Sequence, residues 1–275
     1  MNLVWAALII ASVTALAVAA MLLVRRGAPE GSRFADGDRA SGVFGVLATG
    51  FSVLLGFVVF LAFESYDQSR IGAEEEALVL AQQVETAQFF PRAAGRDLTA
   101  QLVCYGRSVV NIEWPRAEAG EHVDAINPWG AELFRTVRTV NPQTPAQQSA
   151  YDKWLDQTSD REAARNDRIH GAVGVIPSPL WVVLIFISVV IFIYMLFFAD
   201  SAEGVYTQAI LMGSVAAVVV GMLLLIRFLD SPFHDDFGGV QPVAMERTLR
   251  IIDEELRIAG QDVAPPCDEQ GAPPS

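Results

Sequence analysis

Four apolar runs, each long enough to cross a bilayer as a helix, set the limits on what this chain can become. They occupy residues 3–24, 43–63, 180–199 and 205–229. A helix rising ~1.5 Å per residue needs about 20 residues to span ~30 Å of hydrocarbon. No run carries a charge in its interior, since Arg227 falls in the terminal turn of the last. Unpaired backbone groups are too costly in lipid for anything but helices or closed barrels, and uninterrupted runs of this length mean helices. The expected fold is an all-α membrane protein, with four transmembrane helices in two pairs and a helical soluble insert between the second and third.

On this reading residues 1–24 form the first transmembrane helix and 25–42 a polar connection. The second transmembrane helix is 43–63, the insert 64–179, and the third and fourth are 180–199 and 205–229. Residues 242–259 form an amphipathic helix, and 260–275 a disordered tail. The first run is expected to be retained rather than cleaved as a signal peptide. Met1-Asn2 lacks the basic n-region, the run exceeds an ordinary h-region, and Arg25-Arg26 follows it with no small-residue cleavage pattern.

The insert reads as helix throughout. The second span has no breaker before Gly72 and is expected to continue through 73–90 until Pro91. Residues 97–114 place Leu98, Leu102, Tyr105, Val109 and Ile112 on one face, and Trp114-Pro115 should end that helix. A helix at 128–140 aligns Trp129, Leu133 and Val137. Thr144-Pro145 should open another that reaches His170, with Tyr151, Trp154 and Leu155 on its buried side. At 242–259, Met245, Leu249, Ile252, Leu256 and Ala259 follow 3–4 spacing. That stripe either packs on the insert or, through Leu249, Ile252 and Leu256, makes a subunit contact. The tail contains four prolines and almost nothing apolar, so no packed structure is expected there.

Few residues suggest chemistry. A net charge of −13 at pH 7 and the absence of a basic stripe exclude nucleic acid as a partner. Cys104 and Cys267 have no metal-type spacing and read as a core residue and an exposed tail residue, not as a pair. His122, His170 and His234 include no paired spacing, so no metal is expected, even at His234-Asp235-Asp236. No phosphate loop, nucleophile elbow or Cys–His grouping stands out, so neither an enzyme nor a cofactor is expected. Glu74-Glu75-Glu76 reads as a solvated charge run, with a cation vestibule or divalent-ion site as the alternatives.

The second span is the most informative helix. Val46, Thr49, Val53, Gly56, Phe57, Phe60, Glu64 and Asp67 share one face, which changes from apolar to acidic along its length. In a ring of subunits, such a stripe would make an apolar constriction ending in a charged mouth at Glu64 and Asp67. Apolar constrictions gate by dewetting, and charge rings bias ion selection. The alternative is a face that simply packs on neighbouring helices.

Four crossings put both ends and the insert on one side. The connection at 25–42 carries Arg25, Arg26, Arg33 and Arg39, whereas Arg70, Arg161, Arg165, Arg168 and Arg227 flank the other side. Positive charge alone does not decide the orientation, although Arg25-Arg26 leans towards an external insert.

The chain resembles the bestrophin-like membrane-protein family of bacteria and plants. The resemblance rests on Phe63-Glu64-Ser65-Tyr66-Asp67, Glu75-Glu76-Ala77-Leu78, Glu113-Trp114-Pro115, Pro177-Ser178-Pro179-Leu180-Trp181, Leu229-Asp230-Ser231-Pro232-Phe233 and Val240-Gln241-Pro242. It implies a ring of identical subunits around a pore lined by the second helix. Val53, Phe57 and Phe60 would sit at its neck, and Glu64 at its inner mouth. It also implies a bacterial plasma-membrane location, with the termini and insert in the cytoplasm. The acidic calcium clasp of animal bestrophins has no counterpart, so calcium gating is not implied. The leading expectation is an ion-conducting homo-oligomer whose partners are the bilayer and inorganic ions; the second is a non-conducting membrane sensor or scaffold.

Overall fold

The computed structural model describes residues 3–28, 30, 33–34, 36–121, 127–260 and 263–274, so His122 lies outside it. Among these residues every regular element is helical. Four helices are long and apolar enough to cross a membrane: α1 (Leu3–Arg25), α2 (Gly37–Ala87), α7 (Ser178–Phe197) and α8 (Val205–Leu229). The others are α3 (Arg92–Ser108), α4 (Trp114–Glu118), α5 (Pro128–Val137), α6 (Pro145–His170) and α9 (Val243–Ile258). The chain divides into two compact units, one of Met1–Glu64 with Val175–Asp230, the other of Ser65–Gly174 with Ser231–Ser275.

In the first unit, α2 turns Phe51, Leu55 and Val58 towards Leu184 and Ile191 of α7 and Ile226 of α8. Helices α1 and α8 pack through Ala17, Met21, Met212 and Ala216, and small side chains let the two backbones approach. At the end of α8 the buried Asp230 carboxylate accepts hydrogen bonds from the Val175 and Ile176 amides at 2.8 and 3.0 Å. Two amides just ahead of α7, which would otherwise lack partners, are thereby satisfied.

The second unit has a core from all its helices, including Leu80 and Val84 of α2, Leu98, Leu102 and Tyr105 of α3, Leu133 of α5, Trp154 of α6 and Met245 of α9. Thr144 caps α6, its hydroxyl accepting from the Gln147 amide at 3.2 Å, and Pro145 opens the helix.

Helix α2 runs through Gly72 without interruption, and a glycine is needed there. A Cβ on Gly72 would stand 2.7 Å from the Ala164 carbonyl oxygen and 2.9 Å from the Asp167 carbonyl carbon, so glycine sets how closely α2 and α6 approach. Trp114-Pro115 does not end the third helix. A π turn at Val109–Glu113 absorbs an extra residue, the Trp114 amide donates to the Val109 carbonyl, and α4 continues with Pro115 in its first turn.

Cys104 and Cys267 form a disulfide, against the expectation that they are unrelated. The described part of the tail is not loose: the Trp129 indole donates to the Gly271 carbonyl at 2.6 Å, and the Ala272 amide donates to the Asp268 carboxylate at 2.7 Å. Gly271 has φ +86°, and a Cβ there would meet the Arg107 carbonyl carbon at 2.7 Å. On α9, Ile252 is buried, and the half-buried Leu249 and Leu256 pack on the same core of their own protomer. Periodicity is the same for both uses of such a stripe and does not separate them.

Replacing Gly72 by Ala should force backbone apart from backbone between α2 and α6. A loss of about 1–3 kcal/mol is expected, read as a lowered unfolding midpoint of the detergent-solubilised protein; an unchanged midpoint would deny the close approach.

Candidate functional site

Helix α2 presents two different faces along the membrane unit. Phe51, Leu55, Val58 and Ala62 are buried. Val46, Thr49, Val53, Gly56, Phe57, Phe60 and Glu64 lie on the other face and are exposed in the single chain. Phe57 and Phe60 keep 60% and 59% of their surface free, so their own protomer leaves them largely uncovered. A Cβ on Gly45 or Gly56 would meet nothing within 4 Å. Among the described residues the Glu64 carboxylate takes part in no ion pair. Asp67, by contrast, is half-buried in the second unit and pairs with Arg70 at 2.9 Å, while Arg70 also reaches Glu74 at 3.1 Å. The two carboxylates of the expected mouth thus differ: among the described residues Glu64 has no ion pair, and Asp67 shares Arg70 with Glu74.

A second constellation lies inside the second unit, where the sequence gives no expectation of one. Glu76 is fully buried rather than solvated like Glu74 and Glu75. Its carboxylate takes the Arg168 Nε at 2.5 Å and the Tyr105 hydroxyl at 2.6 Å. Arg168 also donates through Nη2 to Glu113 at 2.6 Å, and Arg165 reaches Glu113 at 3.2 Å. Asn127 donates to the same Glu113 carboxylate at 2.8 Å. Arg161 donates to Gln83 at 2.7 Å and lies over the Tyr105 ring at 4.8 Å from its centroid. The Arg168 guanidinium lies 5.6 Å from the centroid of the Trp114 ring.

Local structure explains how these groups meet. On α6, Trp154, Gln157, Arg161, Ala164, Arg165 and Arg168 all face inward, while Leu155 is exposed and Tyr151 only half-buried. The buried side of α6 therefore departs from the expected one beyond Trp154, because arginines rather than apolar residues continue it. The π turn brings Val109 and Glu113 inward together. A signal did exist: Arg161, Arg165 and Arg168 recur at helical spacing, on the face of Trp154.

The electrostatics favour the ionised forms. Burial pushes the Glu113 carboxyl up, but Arg168 and Arg165 together outweigh it and hold its pKa below the ordinary value. Burial lowers the Arg168 pKa, yet Glu76 and Glu113 more than reverse this, and it ends raised. The Tyr105 hydroxyl is pushed well up, first by burial and then by the Glu76 charge, so it remains a donor. Nε of Arg161 and Nη1 of Arg168 are buried and have no hydrogen-bond partner among the described residues. Among the described residues no group of His, Cys, Asp and Glu gathers as a metal site.

Four helices long and apolar enough to cross a bilayer, with a helical second unit, mark an integral membrane protein. The Bestrophin-like domain family matches residues 3–245, and the chain belongs to that family. Its structure is similar to those of a bacterial bestrophin homolog from Klebsiella pneumoniae. One point variant of that protein gives a TM-score of 0.68 at 12% identity, covering 88% of this chain and 98% of the other. A second gives 0.66 at 13% identity, with 94% and 99% covered. At such identities the likeness concerns the fold. No curated protein matches the sequence.

Arg168→Met should leave Glu76 in the core with only the Tyr105 hydroxyl and Glu113 with Arg165 and Asn127 alone, and cost about 3–5 kcal/mol. Adding Glu76→Gln and Glu113→Gln should recover most of the loss in thermal unfolding; no recovery would refute charge pairing as the cause. Because the Glu113 pKa is lowered on folding, its contribution is present above its ordinary 4.5 and is lost as pH falls below that value. The wild-type midpoint should drop on acidification through this window, and Glu113→Gln should flatten the drop.

Proposed function

We propose that the chain is an ion channel assembled from several copies, with α2 of each copy turned towards a shared axis. The observation that carries this reading is the uncovered face of α2 from Val46 to Glu64, on a helix whose opposite face is packed. Membership of the bestrophin-like family supports it. In such an assembly Val53, Phe57 and Phe60 form stacked apolar rings that control the wetting of the neck. Glu64 forms a carboxylate ring at one mouth, which favours cations and disfavours anions. Asp67, tied to Arg70, contributes little to the same field. Small residues along the stripe, Thr49 and Gly56, leave room beside the aromatic rings.

The reading predicts current when the purified protein is fused into planar bilayers, together with a multimeric mass by native mass spectrometry. Phe57→Ala should raise unitary conductance by opening the neck, and Glu64→Gln should lower the cation-to-anion permeability ratio. Silence in several salts combined with a monomeric mass would leave the sensor or scaffold alternative instead.

A further inference from the structure

The disulfide bears on a question that charge counting left open, namely which side of the membrane the second unit occupies. Both cysteines of the chain are used in the Cys104–Cys267 bond, and none is free. Cys104 lies in the middle of α3 with no surface exposed, and Cys267 packs against the same core. The surrounding tail is shaped for this seat. Gly271 takes a left-handed conformation where a side chain would strike the end of α3, and its carbonyl receives the Trp129 indole. The Asp268 carbonyl and carboxylate accept from the Gly271 and Ala272 amides and close the tail into a turn. The pairing is therefore part of a built contact and not a chance encounter of two thiols.

Structural disulfides form and persist in oxidising compartments and are rare in the cytoplasm, where thiols are kept reduced. The arginine pattern agrees. The short connection 25–42 carries Arg25, Arg26, Arg33 and Arg39, and short connections are the ones whose Lys and Arg fix orientation. Long soluble segments translocate largely regardless of charge. Of the arginines that balance the count on the other side, Arg161, Arg165 and Arg168 are consumed in the buried pairs with Gln83, Glu113 and Glu76. Core electrostatics accounts for their presence without any reference to the cytoplasm.

We infer that residues 65–174 and 231–275 face the oxidising, extracytoplasmic side of the membrane, where the Cys104–Cys267 disulfide staples the tail onto α3, and that the connections at 25–42 and 200–204 face the cytoplasm. This is the reverse of the orientation that the bestrophin resemblance implied. It is independent of whether the protein conducts ions. Within the channel reading, it would turn the Glu64 ring towards the outer solution.

The test uses the full chain in a Gram-negative host with an intact periplasmic oxidation system. Alkaline phosphatase, which works only after export, and green fluorescent protein, which fluoresces when folded in the cytoplasm, are each fused after residue 275. In parallel, cells are quenched in acid, free thiols are blocked, and a maleimide mass tag is added before or after reduction. The expected result is active phosphatase, a dark fluorescent fusion, no tag before reduction, and tags on both Cys104 and Cys267 after it. Cys267→Ser should expose Cys104 to tagging without reduction in denatured samples. A fluorescent fusion with inactive phosphatase would overturn the inference, and so would free thiols on the wild-type chain.

Discussion

Helix α2 contributes to both units of the protein on one continuous backbone, and the core of each is built on it. In the membrane unit it buries Phe51, Leu55, Val58 and Ala62; in the soluble unit it buries Ala73, Glu76, Ala77, Leu80 and Val84. Lipid tails are as apolar as leucine, so association within the membrane rests on close packing rather than on water release. Burial of only one face there is thus a property of shape. The face that remains, from Val46 to Glu64, combines small and aromatic side chains and ends in an acidic one.

The soluble unit solves a different problem. Two carboxylates and three guanidiniums sit in its interior, an arrangement whose desolvation offsets much of its Coulomb gain. Such a cluster adds little net stability, but it punishes any packing that separates the partners. Glu76 from α2, Glu113 from the π turn, and Arg165 and Arg168 from α6 can all be satisfied only when the three elements meet in one register. Gly72, one turn before Glu76, lets α6 approach closely enough for this. The cluster therefore acts on specificity of packing, and the aromatic rings of Tyr105 and Trp114 lie against its guanidiniums.

How much of this was legible follows from what each residue type signals on its own. The apolar runs announce four helices because lipid imposes one solution on the backbone. Thr144-Pro145 announces the start of α6 because capping is local chemistry. Burial of Glu76 was not legible, since a charged residue reads as solvated until its partner on another element is known, and for Arg161, Arg165 and Arg168 the only hint was their helical spacing on the face of Trp154. Cys104 and Cys267 are 163 residues apart, and the proline-rich sequence around Cys267 signals disorder rather than docking. Leu249, Ile252 and Leu256 show the limit of periodicity: 3–4 spacing reveals a buried face but not whose surface buries it. For Val53, Phe57 and Phe60 the shared face is visible in the spacing, and the structure adds that their own protomer leaves it uncovered.

A channel requires this uncovered face to meet water around a shared axis and not lipid. Single cysteines at Val53, Phe57 and Phe60, in reconstituted protein, can be challenged with a membrane-impermeant, water-soluble thiol reagent, beside cysteines at Val182 and Phe186 on the exposed side of α7. The α2 positions are predicted to react and the α7 positions to stay silent. If all five remain unreactive while a lipid-soluble reagent modifies them alike, α2 faces the bilayer and the pore is contradicted.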